Sequence, residues 1–282
     1  MMRTGCLRID DGTLETGWWG PDPAAAPTLV LLHEGLGSVA LWRDVPDRLA
    51  AATGWGVFAY SRFGYGQSGG TALPRPMSYM HDEALTVLPK VLAAAGIRQA
   101  VLAGHSDGGS IAAIYAGSFQ GHASRRFPDA GSWPGDHTNP GNLLGLITIA
   151  AHFIVEDLNI DSIRRIKQEY DTGTLRPRLA RYHRDVDTAF RGWNDAWLNP
   201  SFRDFDITGF LPHIRVPVLA LQGSDDPYGS DEQLRIFRTN ARVPITTCLI
   251  PGARHSPHLE AGEATLTAIA TFIATLPRGA ST

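Results

Sequence analysis

The chain has 282 residues, of which 43% are hydrophobic and 19% charged, so it holds enough apolar material for one large core and is expected to fold. Its formal net charge of -3 offers no concentrated cationic face, which argues against nucleic acid or an anionic membrane as a partner. No signal-peptide pattern opens the sequence and no run approaches the roughly 18 apolar residues of a membrane span, so a cytoplasmic location is expected.

Apolar, β-rich runs alternate with stretches of helical period along most of the chain. A hairpin-like stretch ending at Trp18 and Trp19 comes first. The strands predicted after it are, in order, TLVLLH from Thr28, VFAYS from Val57, AVLAGHS from Ala100, LLGLITIAAH from Leu143, VPVLALQG from Val216 and ITTCLI from Ile245. Helices are predicted between them at about 41–49, 80–95, 111–116, near 232 and up to about 276. This alternation predicts a mainly parallel sheet covered by helices on both faces.

Two stretches interrupt the alternation. Residues 117–142 are rich in Gly, Pro, Ser and His without an apolar period, and a surface loop is expected there. Residues 153–213 carry several helical segments and no convincing strand, which indicates a helical cap inserted between two strands. The predicted division is a core domain of residues 1–152 and 214–282 with a cap subdomain of 153–213.

The strongest local motif is G-x-S-x-G, where an apolar strand runs through Gly104 and Ser106 to Gly108 and on into a helix. A sharp strand-to-helix turn strains the serine backbone, and the two glycines remove side chains that would collide there. Ser106 is therefore predicted to be a nucleophile exposed at the sheet edge. The amide of Asp107, at the start of the helix, is a candidate donor to an oxyanion.

A serine hydroxyl is a weak nucleophile at neutral pH, so a base and a group that orients the base are required. Asp225 and Asp226 follow the strand VPVLALQG, and His255 follows the strand ITTCLI. Parallel strands end at one edge of the sheet, so these side chains are expected to meet Ser106 there. The two cysteines, by contrast, are too few for a disulfide framework and are expected to be free and mostly buried.

Taken together, these motifs resemble the α/β-hydrolase superfamily over nearly the whole chain. The resemblance implies an eight-stranded, mainly parallel sheet with a helical cap before its last two strands. It implies a serine hydrolase that cleaves a small-molecule acyl substrate, a small carboxylic ester, through an acyl-enzyme intermediate. The family's G-x-x-D turn selects Asp226 over Asp225, and its C-terminal histidine loop selects His255 over His258.

The turn after the first central strand departs from the family pattern. His33-Glu34-Gly35 stands where the family has His-Gly, and the count from His33 assigns the second oxyanion amide to Gly35. Glu34 replaces a glycine and brings a carboxylate close to the oxyanion. It is expected to be tied to a neighbouring donor, and a contact with substrate stays open.

Three aromatic side chains are candidate substrate contacts. Trp193 and Trp197 lie four residues apart on one helical face and are predicted to wall an acyl pocket. His152, just past the strand LLGLITIAAH, is predicted to line it. A G-x-G-x-x-G pattern begins at Gly64, but the prolines that follow exclude the helix that a dinucleotide site needs. No cofactor and no metal site are expected.

Other activities stay open at this point. The same triad hydrolyses carbon-carbon bonds of ring-cleavage (meta-cleavage) products, lactones and amides in similar enzymes. A non-catalytic receptor for a small ligand on the same fold is an alternative of another class. The sequence does not decide whether the chain forms a homodimer.

Overall fold

The structure is a computed structural model that describes residues 2–10, 12–118 and 142–277. The loop predicted over 117–142 lies outside the described residues except at its ends, where residues 117 and 118 close a helix and residue 142 opens a strand.

A single sheet of eight strands runs through the described part of the chain, in the spatial order β1-β2-β4-β3-β5-β6-β7-β8. The first two strands and the β2–β4 pair are antiparallel, and all other neighbours are parallel. The strands are β1 Arg3–Ile9, β2 Gly12–Trp19, β3 Thr28–Leu32, β4 Gly56–Tyr60, β5 Gln99–His105, β6 Asn142–Ile149, β7 Val218–Gly223 and β8 Ile245–Ile250. The predicted eight-stranded, mainly parallel α/β architecture is confirmed.

Helices cover both faces of the sheet. They are α1 Val45–Thr53, α2 Tyr79–Asp82, α3 Leu88–Ala94, α4 Asp107–Ser118, α5 Asp157–Thr172, α6 Leu175–Leu179, α7 Val186–Leu198, α8 Glu232–Asn240, α9 Pro257–Glu260 and α10 Gly262–Thr275. A wider helical turn, Glu83–Val87, joins α2 to α3, so the predicted helix over 80–95 is a continuous run. Short tight turns of helix occupy Val39–Trp42, Pro200–Asp204 and Thr208–His213.

The core lies in two layers because side chains alternate along each strand. In β3, Val30 and Leu32 pack into the layer that holds α3, α4 and α7, whereas Leu29 and Leu31 pack into the layer that holds α1 and α10. All five residues of β3 are buried, as a central parallel strand covered on both faces requires.

The outer strand β1 differs from the buried centre. Most of its side chains are exposed, because only one of its edges is paired and no helix covers its first residues. Cys6 on this strand is exposed and Cys248 on β8 is partly so, which corrects the expectation of mostly buried thiols. No helix in the described ranges has the length and apolar character needed to cross a membrane.

Between β6 and β7 the chain is mainly helical, as predicted, and this stretch contains α5, α6 and α7. Helix α7 begins at Asp185, whose carboxylate accepts a hydrogen bond of 2.9 Å from the amide of Thr188 and thereby caps the helix. Its apolar face carries Phe190, Trp193 and Trp197 towards the carboxyl edge of the sheet. The division of the chain into a core and a cap subdomain stays a prediction.

Candidate active site

The turn between β5 and α4 holds Ser106 in a strained backbone conformation. Ser106 has φ of +52°, a left-handed value that side-chain-bearing residues rarely adopt, and its amide donates to the Ile149 carbonyl across 2.8 Å. A side chain at Gly104 would collide with the Gly108 carbonyl, and a side chain at Gly108 would collide with the Leu32 carbonyl. The G-x-S-x-G spacing thus lets a strand pass directly into a helix with Ser106 at the corner.

Asp107, the residue after the serine, is fully buried at the first position of α4. Its carboxylate accepts hydrogen bonds from the Tyr79 hydroxyl at 2.6 Å and the Trp197 indole at 3.2 Å. Burial raises the pKa of this carboxyl, and the nearby Arg62 charge opposes that rise. Because the first amides of a helix have no acceptor within it, the Asp107 N–H is free to meet a ligand oxygen.

Asp226 and His255 meet at the carboxyl edge of the sheet. Nδ1 of His255 lies 3.0 Å from Oδ1 and 2.9 Å from Oδ2 of Asp226. The carboxylate is closed off from solvent, whereas the imidazole keeps 17% of its side-chain surface exposed. A carboxylate only accepts hydrogen bonds when ionised, so Nδ1 carries the ring proton and Nε2 is left as the basic nitrogen.

Further donors fix the Asp226 carboxylate. Gln222 Nε2 donates to Oδ2 across 2.6 Å and the Tyr228 amide donates to Oδ1 across 2.8 Å. Burial raises the pKa of Asp226, but the hydrogen bond and charge of His255 and the Tyr228 amide outweigh it and leave the pKa below its usual value. Asp226 is therefore an anion at neutral pH, held in place before any ligand arrives.

Ser106 and His255 come to the same edge from β5 and β8. The ring of His105, the neighbour of Ser106, lies 5.0 Å from the His255 ring between centroids. In the described ranges, no hydrogen bond joins the Ser106 hydroxyl to the His255 imidazole. Such a bond is often long in ligand-free sites and shortens in the reacting complex.

The turn after β3 is pinned from behind by His33 and Arg62. The Arg62 amide donates to His33 Nε2 across 3.1 Å, so His33 Nδ1 carries the proton and donates to the Glu34 carbonyl across 2.6 Å. The Arg62 guanidinium donates to the carbonyls of His33 and Glu34, the latter at 3.0 Å. In a trans peptide the N–H opposes the C=O, so the Gly35 amide points away from Arg62.

Glu34 turns its side chain back over the same loop. Its Oε2 lies 3.6 Å from Nδ1 of His105, and a side chain on Gly37 would collide with the carboxylate. Burial raises the pKa of Glu34, but the imidazole of His105 and the charge of His33 reverse that effect and hold the pKa well below its usual range. The structure therefore places the Glu34 carboxylate beside the imidazole of His105 in the nucleophile turn, beyond direct hydrogen-bond distance.

Two of the predicted pocket residues lie near the site in different ways. Trp193 is 7% exposed, and its indole packs so closely on Gly35 that any side chain there would collide with it. His152 is buried, and its ring stacks on the His255 ring at 5.8 Å. Burial, aided by the His255 charge, lowers the pKa of His152 to about 3, so it is neutral at physiological pH.

Trp197, the other tryptophan predicted to wall the pocket, is only 1% exposed. Its ring lies against His152 at 5.3 Å and Phe202 at 4.9 Å, and its N–H is used by Asp107. These contacts bury Trp197 and join α7 to the nucleophile turn. That Trp193 and Trp197 wall an acyl pocket stays a prediction.

Sequence reasoning missed the residues that hold the predicted ones in place. Arg62, Gln222, Tyr79 and His105 each bond to a site residue or its backbone. A polar residue at the end of an otherwise apolar strand was a usable signal for Gln222 and His105. No local signal distinguishes Arg62 or Tyr79, whose partners are distant in sequence.

Across the described ranges, no three His, Cys, Asp or Glu side chains are arranged to hold a metal ion.

Comparisons with known proteins agree with the architecture. A family model described as "Alpha/beta hydrolase family" matches residues 29–268. A search of curated protein sequences gives no match. Among solved structures, carboxylesterase CesB from Bacillus subtilis is 20% identical, with 97% of this chain and 92% of that chain covered and a TM-score of 0.66. A proline iminopeptidase from Mycobacterium smegmatis is 18% identical, with 96% of this chain and 98% of that chain covered and a TM-score of 0.69. An epoxide hydrolase from hot-environment metagenomes is 20% identical, with 97% of this chain and 99% of that chain covered and a TM-score of 0.70.

Proposed function

The chain belongs to the alpha/beta hydrolase family, and from that membership we propose that it is a serine hydrolase that cleaves a small carboxylic ester through an acyl-enzyme intermediate. The observation that carries the proposal is the two-oxygen contact of Asp226 on Nδ1 of His255, at the sheet edge to which the strained Ser106 turn also leads. A serine hydroxyl, an imidazole that takes its proton and a buried carboxylate that orients the imidazole are the three groups that a serine hydrolase uses for acyl transfer.

In the first half-reaction His255 acts as the base. Nε2 takes the hydroxyl proton of Ser106 as Oγ forms a bond to the ester carbonyl carbon, and the carbonyl electron pair moves to its oxygen. When the pair returns, the bond to the alcohol oxygen breaks and His255 Nε2 gives that oxygen the proton. Asp226 stabilises the imidazolium that exists between these two transfers. The acyl group is left on Ser106.

The second half-reaction repeats the steps with water. His255 takes a proton from water, the hydroxide adds to the acyl carbonyl, and collapse of the tetrahedral state releases the carboxylic acid and restores Ser106. Charge balances throughout within the site itself, so the cycle needs no redox group and no metal.

The oxyanion is stabilised in this proposal by two amides from separate strand ends, Gly35 after β3 and Asp107 after β5. Arg62 supports this role because it holds the carbonyls of His33 and Glu34 on the opposite side of the turn. Donors that are fixed before the reaction need no reorganisation when charge develops, and one such donor contributes about 3 kcal/mol in serine proteases.

A small, uncharged acyl group fits the residues near the site. The Trp193 indole lies beside Gly35 with its N–H nitrogen nearest to that residue, and the imidazole of His152 is neutral at working pH. The likeness to a carboxylesterase supports the ester as substrate class, although it concerns the fold. Residues 153–213, which carry Trp193, would act as the cap over this substrate.

The proposal is tested with p-nitrophenyl esters of increasing acyl length. The wild type should hydrolyse the short esters, and Ser106→Ala should lose at least about a thousandfold in kcat, as removal of a triad nucleophile does. A ring-cleavage diketone, a lactone and an anilide in the same panel separate the alternative bonds. Ester turnover by Ser106→Ala at the wild-type rate would refute the assignment of the nucleophile.

A further inference from the structure

His105 is a buried imidazole with a hydrogen-bond partner on Nε2, while its Nδ1 faces a carboxylate beyond direct hydrogen-bond distance. Its Nε2 lies 2.7 Å from the backbone carbonyl oxygen of His255, and its Nδ1 lies 3.6 Å from Oε2 of Glu34. The residue is 1% exposed. A carbonyl oxygen only accepts hydrogen bonds, so Nε2 of His105 carries a proton and donates it to the main chain of His255.

The remaining nitrogen determines the charge of the pair. A bare Nδ1 would turn its lone pair towards the Glu34 carboxylate, which is electrostatically unfavourable in a buried place. A proton on Nδ1 removes that repulsion, and His105 is then an imidazolium in an ion pair with the carboxylate 3.6 Å away, with no net charge. The pKa of Glu34, which is held well below its usual range despite burial, agrees with this arrangement.

The groups around the pair agree as well. His258 packs on His105 with 4.6 Å between ring centroids, and burial together with the His105 charge lowers the pKa of His258 well below its usual value. Burial and the Arg62 charge do the same for His33 on the other side. Trp42, which packs on both His105 and His258, adds no charge. Glu34 is therefore the anion that His105 faces.

We propose that Glu34 and His105 form a second acid–imidazole pair that positions the main chain of His255, while Asp226 positions its ring. The proposal rests on the proposed role of His255 as the base. Residues 254–256, the loop that carries His255, are also held by a group other than this pair. The Glu260 carboxylate accepts hydrogen bonds from the amides of Arg254 at 2.5 Å and Ser256 at 3.3 Å. The main chain around His255 is thus fixed by two residues, His105 at the His255 carbonyl and Glu260 at the neighbouring amides.

This pair also explains how an acidic residue can stand next to the oxyanion turn. A lone carboxylate at position 34 would repel the negative charge that develops near the Gly35 amide. Paired with a cationic His105, it contributes no net charge there. His105 connects the nucleophile turn, the oxyanion turn and the histidine loop, which are far apart in sequence.

Two substitutions of His105 distinguish the role of Nε2 from the role of Nδ1. His105→Gln keeps an N–H at the position of Nε2, so it should still donate to the His255 carbonyl. His105→Asn places its amide nearer Nδ1 and loses that donation. We expect His105→Asn to lower kcat about tenfold or more at nearly constant KM, because small displacements of a reacting group carry costs of this order. His105→Gln should lose less than His105→Asn, because it keeps the donation to the His255 carbonyl but leaves Glu34 without its cation.

A second measurement needs no turnover. Ring nitrogen shifts of His105, read by NMR in the resting protein at pH 7, should report protons on both nitrogens in the wild type and on Nε2 alone in Glu34→Gln. Glu263→Gln, which removes an exposed carboxylate paired with Arg48, is the control and should change neither the shifts nor kcat.

The outcomes are distinct. A neutral His105 in the wild type, or full kcat in His105→Asn, overturns the pair. If Ser106→Ala stays active, the proposed hydrolase mechanism fails, yet the NMR comparison still decides whether the pair exists. If His105→Asn does not fold, the comparison of wild type with Glu34→Gln decides alone.

Discussion

The indole N–H of Trp197 in α7 donates to the carboxylate of Asp107 across 3.2 Å, which ties the helical stretch between β6 and β7 to the residue after the nucleophile. Asp107 is fully buried and Trp197 is 1% exposed. The Tyr79 hydroxyl occupies the other carboxylate oxygen at 2.6 Å. The nucleophile turn, α2 and α7 therefore share one buried carboxylate.

Trp197→Phe should reveal the strength of this connection. Phe keeps most of the apolar ring but leaves one oxygen of a buried carboxylate without its donor, which costs about 1 to 3 kcal/mol of unfolding free energy. Urea denaturation measures the loss. Trp18→Phe is the matched control, because that indole donates to the Pro21 carbonyl at a half-buried position, and it should lose less. Equal losses would argue against a special role for the Asp107 contact.

Ser106→Gly should stabilise the protein while it abolishes turnover. Glycine adopts φ of +52° freely, which relieves about 1 to 2 kcal/mol of left-handed strain, and the added freedom of the unfolded chain offsets about 0.4 to 1 kcal/mol of that gain. The net expectation is a gain of about 0.5 to 1 kcal/mol in unfolding free energy.

The matched comparison is Ser162→Gly inside α5, where the backbone is helical and the change should destabilise the protein. Ser106→Ala, which keeps the strain, should be close to wild type in stability. A Ser106→Gly protein less stable than Ser106→Ala would contradict the strain argument.

His152 should make stability fall as the pH is lowered below neutrality. Its pKa is about 3 when folded and 6.5 when unfolded, so between these values the unfolded chain binds a proton that the folded chain does not. Its contribution is complete above pH 6.5 and is lost as pH falls towards 3, by up to about 1.4 kcal/mol per pH unit. Denaturation of wild type and His152→Asn from pH 7 to pH 4 measures the slope, which the variant should reduce; identical slopes would rule this contribution out.

Trp193→Ala should change which ester is preferred. Removal of the indole beside Gly35 opens space for longer acyl chains, and each additional buried CH₂ is worth about 0.8 kcal/mol, or about fourfold in kcat/KM. Rates with esters from acetate to octanoate measure the shift towards longer chains. Trp18→Ala, remote from the site on β2, should leave the order unchanged, and an unchanged order in Trp193→Ala would show that the indole does not bound the acyl pocket.

The strands could be predicted from the sequence because central parallel strands are continuous apolar runs. TLVLL coincides with β3 and VLALQG with β7, both buried along their whole length. The glycines around Ser106 are explained by the collisions with backbone that any side chain there would cause. The contacts of Gln222 and Trp197 could not be predicted, because each depends on a partner brought close only by the folded chain.

Glu34 illustrates the same limit at the site. The sequence indicates that a carboxylate replaces the usual glycine, but its partner His105 lies 71 positions further on, and only the parallel pairing of β3 with β5 brings the two turns together. Glu34 is thus the residue that departs from the family pattern, and its role depends on a contact that only the folded chain creates.

The central claim, that Ser106 is a nucleophile activated by His255 and Asp226, is tested most directly by a fluorophosphonate probe followed by peptide mass spectrometry. The wild type should carry one adduct, on the peptide that contains Ser106, and Asp226→Asn and His255→Gln should react at least about a hundredfold more slowly. No adduct on the folded wild type, an adduct on another residue, or wild-type reaction rates in both variants would contradict it.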